Sequence, residues 1–517
     1  MASKNNIFTQ VEMAKPTTSR FDLSHDVKMS LRMGKLTPSC VLECMPGDSF
    51  RIRVENLLRL APLVSPVMHR IRVHTHYFFV PNRLIWSNWD KWITGDGGDW
   101  EHPYFEFGQD DPILKGSLLD YLGYPVVPVN TWPTRANPLP IFAFRKIFNE
   151  YYRDQNLVTE VVDEAINGDN GLEVLSDFSA LNYNRAWQHD YFTSCLPWAQ
   201  KGDSVQIPLT SQDNVPVEFL TGQGPGIIVD SSGNAITSSG FTFETGVSGL
   251  MVVNGTQAGY NPDGNLVVDI QAGATDITTL RRAFRLQEWL EKNARGGTRY
   301  TENILAHFGV RSSDSRLQRP EYIGGSVQNM VISEVLATAE NTAAEIPVGG
   351  MAGHGISVGG GNTFSYRCEE HGWIIGIMSV MPDTAYYQGL HRSLFRFDRL
   401  DYPWPTFANI GEQAVLNKEL YLSDSDNNDD VFGYIPRYSE MKFINSRVAG
   451  DFRDTLEYWH MGRKFDSTPA LNADFINCVP TTRIFAFEDV NLDHIYAHVI
   501  NQISAVRKLP KFGVPTI

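Results

Sequence analysis

Gly355-Ile356-Ser357-Val358-Gly359 spells G-x-S-x-G, a pattern that can present a nucleophilic serine. The motif needs a strand before it and a helix after it, so that the hydroxyl stands exposed on a sharp turn. Here Gly359-Gly360-Gly361-Asn362 follows, then a strand, and Gly349 to Gly361 reads as a Gly-rich loop with a chance match at Ser357. Gly353-His354-Gly355 begins like a dinucleotide fingerprint, but Val358 occupies the place of the third glycine. Asp424 to Asp430 begins like a calcium loop. Asp429 stands where the turn glycine belongs and Ile435 where the bidentate carboxylate belongs, so the stretch reads as a solvated acidic loop. Glu369 and Glu370 are adjacent and on a strand face opposite ways, unlike a facing acid–base pair. His74 and His76 share a strand face and could both reach a metal, but His69 has the other parity and no third ligand is evident. They read as polar residues at an interface. No catalytic residue, cofactor or metal site follows from these patterns.

The element that must position the histidines is a strand. From Arg70 to Phe78 the residues alternate, with Ile71, Val73, Thr75 and Tyr77 on one side and Arg70, Arg72, His74, His76 and Phe78 on the other. That predicts an apolar face on a core and a basic, histidine-rich face meeting something polar. Cys40 to Glu43 and Asp48 to Glu55 flank the turn Met45-Pro46-Gly47-Asp48 and read as a hairpin, with Arg51 and Arg53 opposite Phe50, Ile52 and Val54. Trp86, Trp89 and Trp92 recur at helical spacing over 82–93 and read as core. Further helices are expected over Leu114–Leu122, Ile141–Tyr152 and Ile277–Arg295, the last capped by Asp276 or Thr278, and after a Thr301 cap as far as Gly309. Strands are expected through Trp373–Met378, Arg483–Phe487 and His494–Val506. From Gly202 to about Ala274, Gly, Ser, Thr, Asn and Val dominate, which reads as a small β module inserted in a surface loop.

Composition limits the classes. Aromatic residues make up 12%, and 42 Gly and 28 Pro imply many turns, which favours a mainly β protein with long loops. Lys plus Arg number 44 against 59 Asp plus Glu, so the chain is not a generic nucleic-acid binder, although a local basic face remains open. Five scattered Cys form no C-x-x-C pair and read as reduced thiols. The N-terminal segment has no apolar signal core, and no apolar run is long enough to span a bilayer; the chain reads as soluble, made inside a cell and without a membrane partner. Residues 1–38 are basic-leaning and read equally as a docking arm or a mobile terminus.

Several long segments carry a resemblance: Phe21–Ser30, Leu60–Arg70 leading into Thr75–Arg83, Trp289–Tyr300, Pro405–Gln413, Gly433–Tyr438 and Trp459–Arg463. In order and along nearly the whole chain, they resemble the major capsid proteins of gokushoviruses, small tailless single-stranded DNA phages of the Microviridae. The resemblance implies a single eight-stranded jelly roll with long inter-strand insertions and short helices. It implies an N-terminal arm at 1–38, interior to a shell, core strands with helical insertions at 39–201, a three-fold surface protrusion at 202–274 used in host attachment, and the remaining core strands, helices and tail at 275–517. The implied function is a T=1 icosahedral shell around a circular single-stranded DNA genome, assembled in the host cytoplasm and located in the virion. The implied partners are further copies of the chain, the packaged DNA, a small basic DNA-binding viral protein, minor or pilot proteins and a host receptor. On that reading Lys4, Arg20, Lys28, Arg32, Lys35, Arg507, Lys508 and Lys511 face the DNA or the basic partner. A carbohydrate-binding jelly roll and a serine hydrolase using Ser357 are the competing classes.

Overall fold

The computed structural model describes residues 17–95, 98, 100–108, 111–126, 133–203, 205, 277–336, 351–424, 426–487 and 492–512, with the backbone of short strands between 218 and 267. The chain divides into two compact units, Gln200–Lys292 and the rest. In the first, strands Phe243–Thr245, Met251–Val253, Thr256–Asn261 and Ile227–Asp230 form an antiparallel sheet in that order.

The larger unit is built on β1 (Ser19–Asp22), β2 (His25–Leu31), β3 (Thr37–Cys44), β4 (Ser49–Leu60), β5 (Ile71–Pro81), β6 (Glu321–Asn329), β7 (Val331–Leu336), β8 (Met351–Arg367), β9 (Gly372–Pro382) and β10 (Ile495–Arg507). One antiparallel sheet runs β1-β10-β4-β8-β7, with β2 also pairing β10; the other runs β6-β5-β9-β3. Strict alternation in β4 sends Phe50, Ile52, Val54 and Leu58 inward. They meet Ile71, Val73, Tyr77 and Phe79 of β5 and Ile374 and Met378 of β9 in one core between the sheets. Each such fully buried side chain contributes about 1.5–3 kcal/mol.

The turn at Met45–Asp48 is not a hairpin. β3 pairs β9 while β4 pairs β8 and β10, so the turn carries the chain from one sheet to the other. A Pro-Gly signal marks where a strand stops and says nothing about its partner. The corner is clamped instead by Asp48, fully buried, whose carboxylate accepts the Met45 N–H at 3.1 Å and lies 3.3 Å from the Arg507 guanidinium. Gly47 supplies the φ of 91° that the corner needs.

The Gly-rich stretch is also not a loop where it is described: β8 is one strand of 17 residues. A Cβ at Gly353 would come within 2.2 Å of the Ser65 carbonyl oxygen, so glycine here admits a crossing backbone segment. Arg483–Phe487 is a turn with a single bridge from Phe485 to Leu63, and not a strand.

The outer face of the β6-β5-β9-β3 sheet is covered as well. Phe78, Val80, Ile375 and Ile377 pack under Trp86, Phe105 and the helices α2 (Leu118–Leu122) and α3 (Leu139–Ile147) in a second core. The segment expected as one helix over 82–93 splits into a 3-10 turn at Asn82–Leu84 and α1 (Trp89–Thr94), with Trp86 fully buried between them. In α2, Ser117 caps by accepting the Asp120 N–H, and Gly123 ends the helix at φ 97°. Next come α4 (Gly171–Ser179), α5 (Ile277–Gly296) and α6 (Tyr300–Phe308). Asp276 lies outside the described residues. At α6 the cap residue is Arg299, not Thr301, because the Glu302 carboxylate reaches back to the Arg299 N–H at 3.2 Å.

Inside the second core Arg145 and Asp177 form an ion pair at 2.9 Å with both side chains almost fully buried. Arg145 also donates to the carbonyls of Val162 and Glu173. Asp177→Ala leaves a buried guanidinium uncompensated and is expected to cost about 3–5 kcal/mol, read as a lowered denaturant midpoint; an unchanged midpoint would show the pair is dispensable.

His74 and His76 sit on the covered face of β5, and burial, followed by the charge of Arg185, depresses them to about 3 and about 4. Both are therefore neutral in the fold. The unfolded chain takes up these protons near 6.5 and the folded chain resists until lower pH, so stability falls as pH drops from about 6.5 toward 4. His76→Gln is expected to flatten that slope in denaturation curves taken at successive pH values; a slope equal to that of the unaltered protein contradicts the assignment.

Candidate nucleic-acid and partner interface

Period two in β4 that buries Ile52 and Val54 also aligns Arg51, Arg53 and Arg59 on the opposite, solvent-facing side. Register extends the row sideways. Arg51 lies opposite Ser504 of β10 and Ser365 of β8, Ser49 lies opposite Arg367, and Arg20 of β1 lies opposite Val506. Lys28 of β2 stands opposite His498 on the same face. Six cations (Arg20, Lys28, Arg51, Arg53, Arg59, Arg367) share this face with three carboxylates (Asp22, Asp26, Glu55). The whole chain has the reverse balance, 44 basic to 59 acidic residues, so the basic residues are concentrated here. Glu55 pairs with Arg53 at 2.8 Å and Asp26 with His498 at 3.0 Å, while Arg51, Arg59 and Arg367 have no carboxylate within 4.0 Å among the described residues. An exposed, positively charged sheet face of this kind can bind phosphates through charge, without reading sequence.

The cations singled out in the sequence fall in three places. Arg20, Arg507 and Lys508 come together at one end of the sheet. Arg20 donates to Ser504 Oγ at 2.7 Å, Arg507 donates to the Glu43 carbonyl at 2.7 Å, and Lys508 reaches over Gly47. With Arg51 and Arg367, Arg20 borders a groove of about 460 Å³. Lys28 lies at the β2 edge, 3.9 Å from Asp26. Arg32 and Lys35 belong to a second recess of about 460 Å³ with Lys115, Tyr121 and Tyr496, in which Arg32 is tied to Asp493 at 2.8 Å. Burial and the neighbouring Arg32 lower the pKa of Lys35. Lys511 is exposed beside Phe512, and Lys4 lies outside the described residues. Arg51, Arg53, Arg59 and Arg367 were not singled out; the apolar-and-basic alternation of 49–59 was the available signal, and Arg367 joins only through strand pairing.

Ser357 has none of the elbow geometry. It lies within β8, is 1% exposed, and donates to the Asn329 carbonyl at 3.1 Å. The rings of His74 and His76 are 6.0 Å apart, and the Tyr152 hydroxyl hydrogen-bonds His76 Nδ1 at 2.8 Å. Asp426–Asp429 forms a 3-10 turn in which Asp429 pairs with Lys418. All five thiols are unbridged and buried. Among the described residues no helix is long and apolar enough to cross a membrane.

Residues 9–517 match the family model described as capsid protein (F protein). The chain is 34% identical to capsid protein VP1 of Chlamydia phage 1, over 99% of this chain and 97% of that protein. It is 33% identical to capsid protein VP1 of Bdellovibrio phage phiMH2K, over 98% and 97%. Against capsid protein VP1 of Spiroplasma virus 4 the identity is 29%, over 89% and 87%. The matched span takes in both sheets, the covering helices and the basic face, and the chain belongs to the capsid protein (F protein) family, as a structural capsid protein of Microviridae type.

Proposed function

We propose that copies of this chain close into a T=1 icosahedral shell around a circular single-stranded DNA genome, and that the basic face of the six-stranded sheet lines its interior. The observation that carries this reading is the concentration of Arg20, Lys28, Arg51, Arg53, Arg59 and Arg367 on one face of an otherwise acidic protein. The role is structural, without catalysis. Most of the charge of the packaged DNA is met by a small basic viral protein, with minor or pilot proteins completing a virion assembled in the host cytoplasm.

The core is read as a single eight-stranded jelly roll. β2, β4, β8 and β10 fall in one sheet and β3, β5, β6 and β9 in the other, in the orders β2-β10-β4-β8 and β3-β9-β5-β6, which supports that reading. The 1–38 arm and the 507–511 tail are assigned to the interior surface; in the sheet Arg20 lies opposite Val506 and Arg507 opposite Ser19. The 202–274 module is proposed as the three-fold protrusion that meets a host receptor; that Gln200–Lys292 is a compact unit of its own supports this.

The test is packaging. Arg51→Gln with Arg59→Gln and Arg367→Gln is expected to leave folding and shell formation intact while lowering DNA content per particle, with the difference from the unaltered chain shrinking as salt rises. Full DNA content in such particles would refute the interior assignment. Extending the neutralisation to Lys4, Arg20, Lys28, Arg32, Lys35, Arg507, Lys508 and Lys511 is expected to lower it further.

A further inference from the structure

A cavity of about 1100 Å³ opens beside β5, bounded by the segment after α3, by residues 185–196, by Ala294–Arg299 and by Tyr322. Five arginines line it (Arg72, Arg153, Arg185, Arg295 and Arg299) against two carboxylates, Asp154 and Glu302. Most of these charges have structural partners. Arg72 pairs with Asp383 at 2.9 Å, Arg299 with Glu302 at 3.1 Å, and Arg295 with Glu412. Asp154 is occupied as well, accepting the N–H groups of Asn156 and Leu157.

Arg185 differs. Its side chain donates to Ser379 Oγ at 2.9 Å and lies 5.8 Å from the Tyr152 ring, and no carboxylate lies within 4.0 Å of it among the described residues. Burial works against its charge. Arg153, with a side chain 9% exposed, donates to the Val158 carbonyl at 2.9 Å; among the described residues its one ion pair, to the exposed Glu160, is long at 3.8 Å, and its Nε makes no hydrogen bond. Arg299 Nε is likewise buried without a partner. Buried guanidinium groups are normally satisfied by an acceptor, and a phosphate offers the bidentate geometry they favour. Aromatic side chains also line it. Tyr152 stacks on His76 at 6.0 Å, and Tyr322, half exposed, meets the same imidazole edge-on at 5.9 Å. An aromatic ring and an arginine lining one cavity can hold a nucleobase and its phosphate.

We propose that this cavity is a binding site for a nucleoside monophosphate unit, with the phosphate held by Arg185 and Arg153 and the base against Tyr322. The unit is either a free nucleotide or one nucleotide of a DNA strand. The assignment is independent of which sheet face lines the shell, because it rests on residues of one chain on the opposite side of the fold.

The test is calorimetric titration of the full-length protein with dAMP, with inorganic phosphate and deoxyadenosine as separate probes. One dAMP per chain is expected, bound more tightly than either fragment. Arg185→Gln is expected to weaken it by about tenfold or more, the loss of a charge-assisted contact. Tyr322→Ala, at a half-exposed position that folding tolerates, is expected to weaken dAMP but not phosphate. Competition by an oligo(dA) strand shows that the site takes a nucleotide within a strand, and absence of competition identifies a free nucleotide. No dAMP binding, or affinities unchanged in both variants, overturns the proposal.

Discussion

The fold depends on two central strands having no solvent face. β5 and β9 lie at the centre of the β6-β5-β9-β3 sheet, with the inter-sheet core on one side and the helix-covered core on the other. A sheet buried on both faces must be apolar on both, and β9 is intermediate only at Trp373 and otherwise buried. The long insertions thus serve first as the second wall of this sheet. Where that wall is polar, at His76 and Arg185, it leaves a cavity instead of a packed layer.

The other sheet obeys the opposite rule. Its inner face is apolar and its outer face is exposed and positively charged, so it can spread charge without breaking the core. An acidic protein can in this way carry a local positive field, since exposed charges more than about 10 Å apart are largely screened from one another at 0.1 M salt. Arg507 stands beside this face and not on it: it lies opposite Ser19, with the inward parity, and its guanidinium reaches Asp48 at the buried corner between sheets.

Periodicity made the strands around Arg51 and Val73 legible, and spacing of aromatic residues made Trp86 and α3 legible as core. Partnership was not legible. Local signals at Met45–Asp48 gave a turn, but whether β3 turns back on β4 or crosses to β9 is decided by packing of residues more than 300 positions away. The same holds for Gly353: its glycine answers to the Ser65 carbonyl, and without that neighbour the stretch reads as a loop. The basic face was half legible, since Arg51 and Arg53 alternate visibly while Arg20 and Arg367 join them only through register. The resemblance carried in segments such as Leu60–Arg83 reached the family, which the residue types of any one site did not.

The most direct measurement is electron cryo-microscopy of particles assembled from this chain with its DNA. Closed icosahedral shells with Arg51, Arg59 and Arg367 facing the DNA-filled interior are the predicted result. Particles in which that face points outward or is buried between subunits, or a protein that stays monomeric, would contradict the account.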